Sequence, residues 1–187
     1  METVIALQET GCAWNFASGD VIRLVSSTMD YVKFKRRRDL VGAVRHLPLT
    51  VITDQDFKAE FPGTALRFRP STSFSDLLRT MADAKSVVCP LPHFTGFHER
   101  AMGALSAGAY VVAAPNEVLE TNFAQERELL IYRNTRELTR ALELILSEGE
   151  RFEEPALAGR QKAMMRFGPD KLVSSILSAL SLQAVNT

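Results

Sequence analysis

Short apolar runs recur along this chain with amphipathic segments around them, and that alternation restricts the fold more than any other feature of the sequence. The runs are Leu49–Thr53, Ala65–Phe68, Ser86–Pro90, Tyr110–Ala114 and Leu129–Tyr132. They are rich in Val, Ile or Leu and show little apolar/polar alternation, as expected of parallel strands covered on both faces. Segments with helical periodicity flank them. Arg36–His46 places Leu40, Val41 and Val44 on one side, and Pro48 stops it. Ser75–Asp83 carries Leu77, Leu78 and Met81 inward, and His98–Ala107 closes at Gly108. Thr135–Leu146 follows Asn134, an N-cap with Glu137 three residues on. Helices near Glu154–Met165 and Pro169–Leu182 end the chain. Strands and helices in this order predict an α/β fold: a single Rossmann-like domain with a parallel sheet flanked by helices and right-handed crossovers. Before it, residues 1–35 form a partly helical segment, with a further strand at Val4–Leu7 and a helix at Asp20–Tyr31.

Composition narrows the function. The chain has 187 residues, 46% of them hydrophobic, enough for one buried core. Its 22 Lys and Arg balance its 22 Asp and Glu. A neutral chain lacks the surplus of cations that a general nucleic-acid binder needs, so no nucleic-acid partner is expected. Any anion must be held locally. Cys12 and Cys89 form neither a zinc knuckle nor a redox pair, which fits a reducing cytoplasm. No stretch approaches the apolar length of a membrane helix, and the N-terminus carries no signal pattern, so a soluble, unprocessed protein without an integral membrane segment is expected. The sequence contains no Gly-x-Gly-x-x-Gly fingerprint, Walker loop or Gly-x-Ser-x-Gly elbow. These absences argue against a dehydrogenase, a nucleotide hydrolase and a serine hydrolase.

In an open parallel sheet, ligands bind beyond the carboxyl ends of the strands. The richest segment there runs from Pro90 to Pro115: a strand end, a loop with Gly96, a helix, Gly108 and another strand. A helix starting near Phe97 would aim free backbone N–H groups at the strand edge, where a diphosphate could dock, and Gly96 would allow close approach.

Residues 96–116, GFHERAMGALSAGAYVVAAPN, resemble the donor-site signature of GT-B glycosyltransferases. They are closest to the CgeB-like members, glycosyl transferases group 1, with a Glu-Arg pair at the head of this helix. The flanks agree: ALRFRP (65–70) and SFSDLLRTMADAKSVVCP (73–90) resemble the family's strand, helix and second strand. EVLETNF (117–123) and ELLIYRNTRELTRAL (128–142) resemble its ligand-facing loop followed by a strand and helix. The resemblance spans roughly residues 36 to 182.

The resemblance implies one half of a GT-B fold, binding a nucleotide-diphosphate sugar as donor substrate, with no further cofactor and no obligatory metal. Glu99 and His98 would be the catalytic pair at the helix start. Gly96, Phe97 and Arg100 would meet the diphosphate and ribose or donor sugar, Arg69 and Pro70 would border the base, and Asn116 would line the site after the fourth strand. In related enzymes a basic residue near the first helix start reaches the donor phosphates, which adds Arg37 and Arg38. Two departures qualify this. Many retaining members carry a second glutamate five residues before the closing glycine, where this chain has Gly103. A GT-B enzyme also has two such halves, so the chain is expected to be a fragment, to need a second GT-B domain or partner protein, or to have lost transfer. The acceptor is not specified by the sequence.

Plainer readings stand beside these. Glu99 in a first helical turn favours the macrodipole in any protein. His93 and His98 with Glu99 lack the one-face spacing of a metal motif, so no metal site is expected. The run Lys33, Lys35, Arg36, Arg37 and Arg38 reads as a solvated helix face or as a grip on phosphate or an anionic surface. Cys89 reads as inert core. The alternative to an enzyme is a non-catalytic interaction module of Rossmann-like shape. A receiver-like fold is a third reading, for which Asp54 and Asp56 are only a loose match.

Overall fold

A computed structural model describes residues 19–90 and 99–184 of the chain. The first element is a 26-residue helix, α1 (Gly19–Val44). It replaces the two helices expected at Asp20–Tyr31 and Arg36–His46. Nothing between them breaks a helix: Val32, Lys33, Phe34 and Lys35 are tolerated in helices and include neither Gly nor Pro. The chain divides into two compact units inside α1, between Asp39 and Leu40. In the first unit the described residues are the helical stretch up to Asp39, where Lys33 and Lys35 pair with Asp30 at 3.6 Å and Asp39 at 2.8 Å. Lys33, Lys35, Arg36 and Arg38 are exposed there, as a solvated face requires. Arg37 and Arg38 lie well inside α1, so the expectation that they sit at a helix start does not hold.

The second unit, from Leu40 on, is the parallel α/β body. Strand β1 (Thr50–Ile52) is followed by the short helix α2 (Phe57–Glu60), strand β2 (Arg67–Arg69) and helix α3 (Phe74–Ala82). Strand β3 (Ser86–Cys89), helix α4 (Glu99–Ala107) and strand β4 (Tyr110–Ala113) come next. Helix α5 (Glu117–Asn122) leads to β5 (Leu130–Ile131), and then to α6 (Thr135–Ser147). A 3-10 turn (Gly149–Phe152), α7 (Glu153–Phe167) and α8 (Pro169–Ala184) complete the described chain. All strand pairs are parallel, in two hydrogen-bonded groups, β1-β2 and β3-β4-β5. The parallel sheet expected from the sequence is thus formed. One detail differs: β2 alternates, with Arg67 and Arg69 exposed around Phe68, so this strand is not covered on both faces.

β4 is the centre of the three-stranded group, and all four of its residues are buried. Alternation splits them. Val111 and Ala113 join Cys89, Leu129 and Ile131 in one apolar cluster with Ala101, Ala104 and Leu105 of α4 and Ala163 of α7. Tyr110 points the other way and meets Phe152, ring centroids 4.9 Å apart. Leu138, Leu142 and Ile145 give α6 its buried stripe, three apolar positions at helical spacing.

Small residues set how closely α4 is held. It packs against α3, α7, β3 and β4. A Cβ on Gly159 of α7 would fall 2.3 Å from the Glu128 carbonyl oxygen and 3.0 Å from Leu105 Cδ2. The helix can therefore lie against the chain entering β5 only with glycine there. At the end of α4, Gly108 takes φ +92°, a left-handed conformation. The Gly108 and Ala109 amides then donate to Leu105 and Ala104, 3.0 Å each, and turn the chain directly into β4.

Candidate functional site

The carboxyl ends of the parallel strands are where the loops leave the sheet; of the sequence-predicted residues, Arg69, Glu99, Arg100 and Asn116 are described, ending β2 or following β3 and β4 along the chain. Gly96, Phe97 and His98, with His93, lie outside the described residues. The amides ahead of Phe97 lie outside them too. From Glu99 on the structure is explicit. Glu99 and Arg100 open α4 and are both exposed, while Ala101 is fully buried. The helix start thus turns two charged side chains to solvent and anchors itself through the next residue. Arg100 also acts on the end of β3. Burial pushes the Cys89 thiol up to about 12, against a smaller downward pull from the Arg100 guanidinium. Cys89 is therefore a protonated core thiol.

Arg69 is the last residue of β2 and is exposed, with Pro70 exposed after it. The turns that follow β1 and β2 are tied together by Asp54, whose Oδ1 accepts from the Ser71 amide at 2.9 Å. Hydrogen bonds from Ser71, its hydroxyl foremost and its backbone N–H next, hold the Asp54 carboxyl below its ordinary range. Asp54 is thus engaged in shaping the edge, which leaves little for the receiver-like reading.

Asn116 has a second duty. It is buried and caps α5, its Oδ1 accepting from the Leu119 amide at 3.1 Å. The segment expected as a ligand-facing loop, residues 117–123, is this helix. The sequence pattern carried the signal, an Asn before two acids in a first turn, but six residues are too few to show a periodicity. Gly103, where related retaining enzymes carry a glutamate, faces α3: a Cβ there would meet Leu78 Cδ2 at 3.0 Å. A glutamate at this position would collide with packed hydrocarbon.

One residue was not singled out by sequence. Tyr132 follows β5, its amide donating to Ala113 at 3.0 Å, and is 5% exposed. Its hydroxyl is one of two buried side-chain polar atoms among the described residues without a hydrogen-bond partner; the other is Gln55 Oε1, after β1. Both follow carboxyl ends of strands. Burial, and secondarily Cys89, raise the Tyr132 phenol far above its ordinary range, so it remains protonated. A tyrosine ending the aliphatic run Leu129, Leu130, Ile131 was the available signal, since it carries a hydroxyl into a dry place.

Among the described residues no group of three or more His, Cys, Asp or Glu could hold a metal. No described helix is long and apolar enough to cross a membrane. A groove of about 470 Å³ is lined by Ala43, Thr135, Arg136, Thr139, Arg140 and Glu143, none of them a sequence-predicted site residue.

Comparison with known proteins supplies the rest. A comparison with curated proteins yields no match. Among solved structures, the sucrose-phosphate synthase of Thermosynechococcus elongatus superposes with a TM-score of 0.70 at 17% identity, covering 82% of this chain and 43% of that one. The HepE protein of Anabaena, in its complex with UDP-glucose, gives a TM-score of 0.59 at 17% identity, covering 71% of this chain and 40% of that one. The same protein with UDP and glucose gives 0.61 at 17% identity, covering 76% and 43%. At such identity the likeness is one of fold: a Rossmann-like half of the GT-B kind. This chain spans less than half the length of the structures it matches. The family described as Glycosyl transferase-like matches residues 36–178, continuous through β1 to α8 and including the Glu99-Arg100 helix start, and the chain belongs to that family.

Proposed function

We propose that this chain is the donor-binding part of a glycosyltransferase. It holds a nucleotide-diphosphate sugar beyond the carboxyl ends of β3, β4 and β5. With a second Rossmann-like half, from a partner or a longer protein, it transfers the sugar to an acceptor. The observation that carries this is the family match running through α4, joined to a neighbour of the same fold whose structure holds UDP-glucose. A UDP-linked hexose is accordingly the first ligand to test.

In this reading the backbone at Gly96 and Phe97 receives the diphosphate, and Arg100 offsets its charge, since leaving-group charge is best met by fixed donors and cations. Glu99 and His98 face the reacting sugar, Arg69 borders the base and Asn116 lines the far side while capping α5. No metal is required, because the donors and the cation supply the stabilisation. A cytoplasmic location fits the free Cys89 thiol.

The test is ligand-induced stabilisation of the whole chain, since a ligand that binds only the native state must raise its stability, by about 2.7 kcal/mol at a hundredfold excess over Kd. UDP and UDP-glucose are expected to raise the melting temperature. Glu99→Ala and Arg100→Ala are expected to weaken binding roughly tenfold each, about the 1.4 kcal/mol of one lost charged contact. Both side chains are exposed, so neither variant should change the ligand-free melt. Unchanged affinity in both variants rejects the site. No response to uridine or guanosine diphosphates and their sugars favours the interaction module instead, a reading supported by the exposed Val173, Ile176 and Leu177 of α8.

A further inference from the structure

The groove of about 470 Å³ beside α6 contains none of the residues assigned to the donor, and its walls are chemically one-sided. α6 buries Leu138, Ala141, Leu142 and Ile145. Thr135, Arg136, Thr139, Arg140 and Glu143 lie off that stripe and line the groove opposite Ala43, near the end of α1. From Thr135 to Glu143 the groove follows α6 for about 12 Å. The end of α1 is held beside it by the buried Val41 and Val44 and by His46, whose Nε2 lies 3.3 Å from Glu143 Oε1.

Hydrogen-bond donors in this groove lack protein acceptors. Arg136 and Arg140 stand one helical turn apart, a like-charge spacing that weakens a helix slightly. Neither pairs with a carboxylate among the described residues, because those nearest are turned elsewhere: Glu137 to the Arg133 amide at 2.7 Å and the Asn134 side chain at 2.6 Å, and Glu143 to His46. The Thr135 and Thr139 hydroxyls also have no hydrogen bond to a described residue. Inside other helices, Thr80, Ser174 and Ser175 donate to the carbonyl four residues earlier, at 2.9, 2.7 and 2.8 Å. Thr139, half-buried and also inside a helix, does not. The donors are side chains rather than helix-start amides, since Asn134 already caps the Glu137 amide at 2.9 Å. Two guanidiniums and two hydroxyls along one groove call for a charged group with several acceptor oxygens. A phosphate group offers forked donors two oxygens and keeps one for a hydroxyl.

We propose that this groove binds a phosphate-bearing small molecule, with Arg136 and Arg140 gripping the phosphate and Thr135 and Thr139 donating to its oxygens. Glu143 closes the far end to a second anion, so the uncharged part of the ligand extends that way, beside Ala43. The site is distinct from the donor's and stands whether or not the donor reading holds.

The test is calorimetry of the full chain with inorganic pyrophosphate as probe, at low ionic strength because exposed charges are screened by salt. Wild type should bind it, and Arg136→Gln/Arg140→Gln should weaken binding by roughly tenfold or more, the effect of losing charged hydrogen bonds. Both side chains are exposed, so the ligand-free melting temperature should stay level or rise as a like-charge contact is removed. Arg136→Lys/Arg140→Lys should restore only part of the affinity, since an ammonium keeps the charge and loses the fork. Full restoration would mark a diffuse cationic surface and overturn the proposal. Arg100→Ala separates the two sites: pyrophosphate should still bind that variant, and UDP should bind the glutamine variant as it binds wild type. No pyrophosphate binding by wild type, equal binding by the glutamine variant, or complete loss in Arg100→Ala overturns the groove and leaves the donor reading standing. Loss of UDP binding in the glutamine variant also overturns it, since groove and donor site would then be one. Failure of wild type to bind UDP counts against the donor reading alone.

Discussion

At the scale of single residues, the most constrained position is a glycine remote from the chemistry. Gly159 lets α7 lie against the carbonyl of Glu128, and a methyl group there would overlap that oxygen at 2.3 Å. The obstacle is backbone, which cannot swing aside as a long side chain would. Glu128 is also held by Lys162, whose Nζ lies 2.7 Å from Oε2, and by the Ala124 amide at 2.6 Å. Gly159→Ala should therefore destabilise the chain by about 2 kcal/mol, within the usual range for overpacking, although alanine is the better helix former. Equilibrium denaturation in urea would check this, with an unchanged or raised midpoint counting against it. Gly103 follows the same logic in milder form, since its neighbour is the flexible end of Leu78. For the candidate site, exposure separates the residues: Glu99, Arg100 and Arg69 are free to meet a ligand, whereas Asn116 is already committed to α5.

At the scale of elements, the strands and the long helices were legible because their patterns are local. A run such as Tyr110–Ala113 is apolar throughout, and only a strand buried on both faces accommodates it. The start of α6 was legible in full. Asn134 Oδ1 accepts from the Glu137 amide at 2.9 Å, while Glu137 reaches back to the Arg133 amide at 2.7 Å. Asn134→Ala should cost about 1 kcal/mol, the usual value of an N-cap. Glu137→Ala should cost less, since the cap survives it; a thermal-melt comparison of the two variants would check that order. Three elements were not legible, for physical reasons. α1 reads as two helices because its apolar periodicity lapses through Tyr31–Lys35, yet no residue there ends a helix. α5 is too short to show a period. α2, at four residues, is shorter still.

At the scale of the whole molecule, every buried hydrophobic residue among the described ones lies at Val41 or beyond. The family match begins at residue 36, a few residues before the unit that starts at Leu40. A chain of residues 36–187 should thus retain a cooperative thermal transition. Circular dichroism at the helix band would follow it, and a broad, sloping melt would show that the preceding stretch is needed for the core. The same scale explains why the candidate site was less legible than the fold. Sequence located the α4 signature through a resemblance, whereas the buried Tyr132 hydroxyl without a hydrogen-bond partner emerges only once the strands are packed side by side.

The burial of Cys89 beneath the start of α4 gives the protein a built-in clock. With Cys12 replaced, an alkylating reagent would find its target only in molecules whose sheet has come apart, and the pace of labelling would time how often that happens.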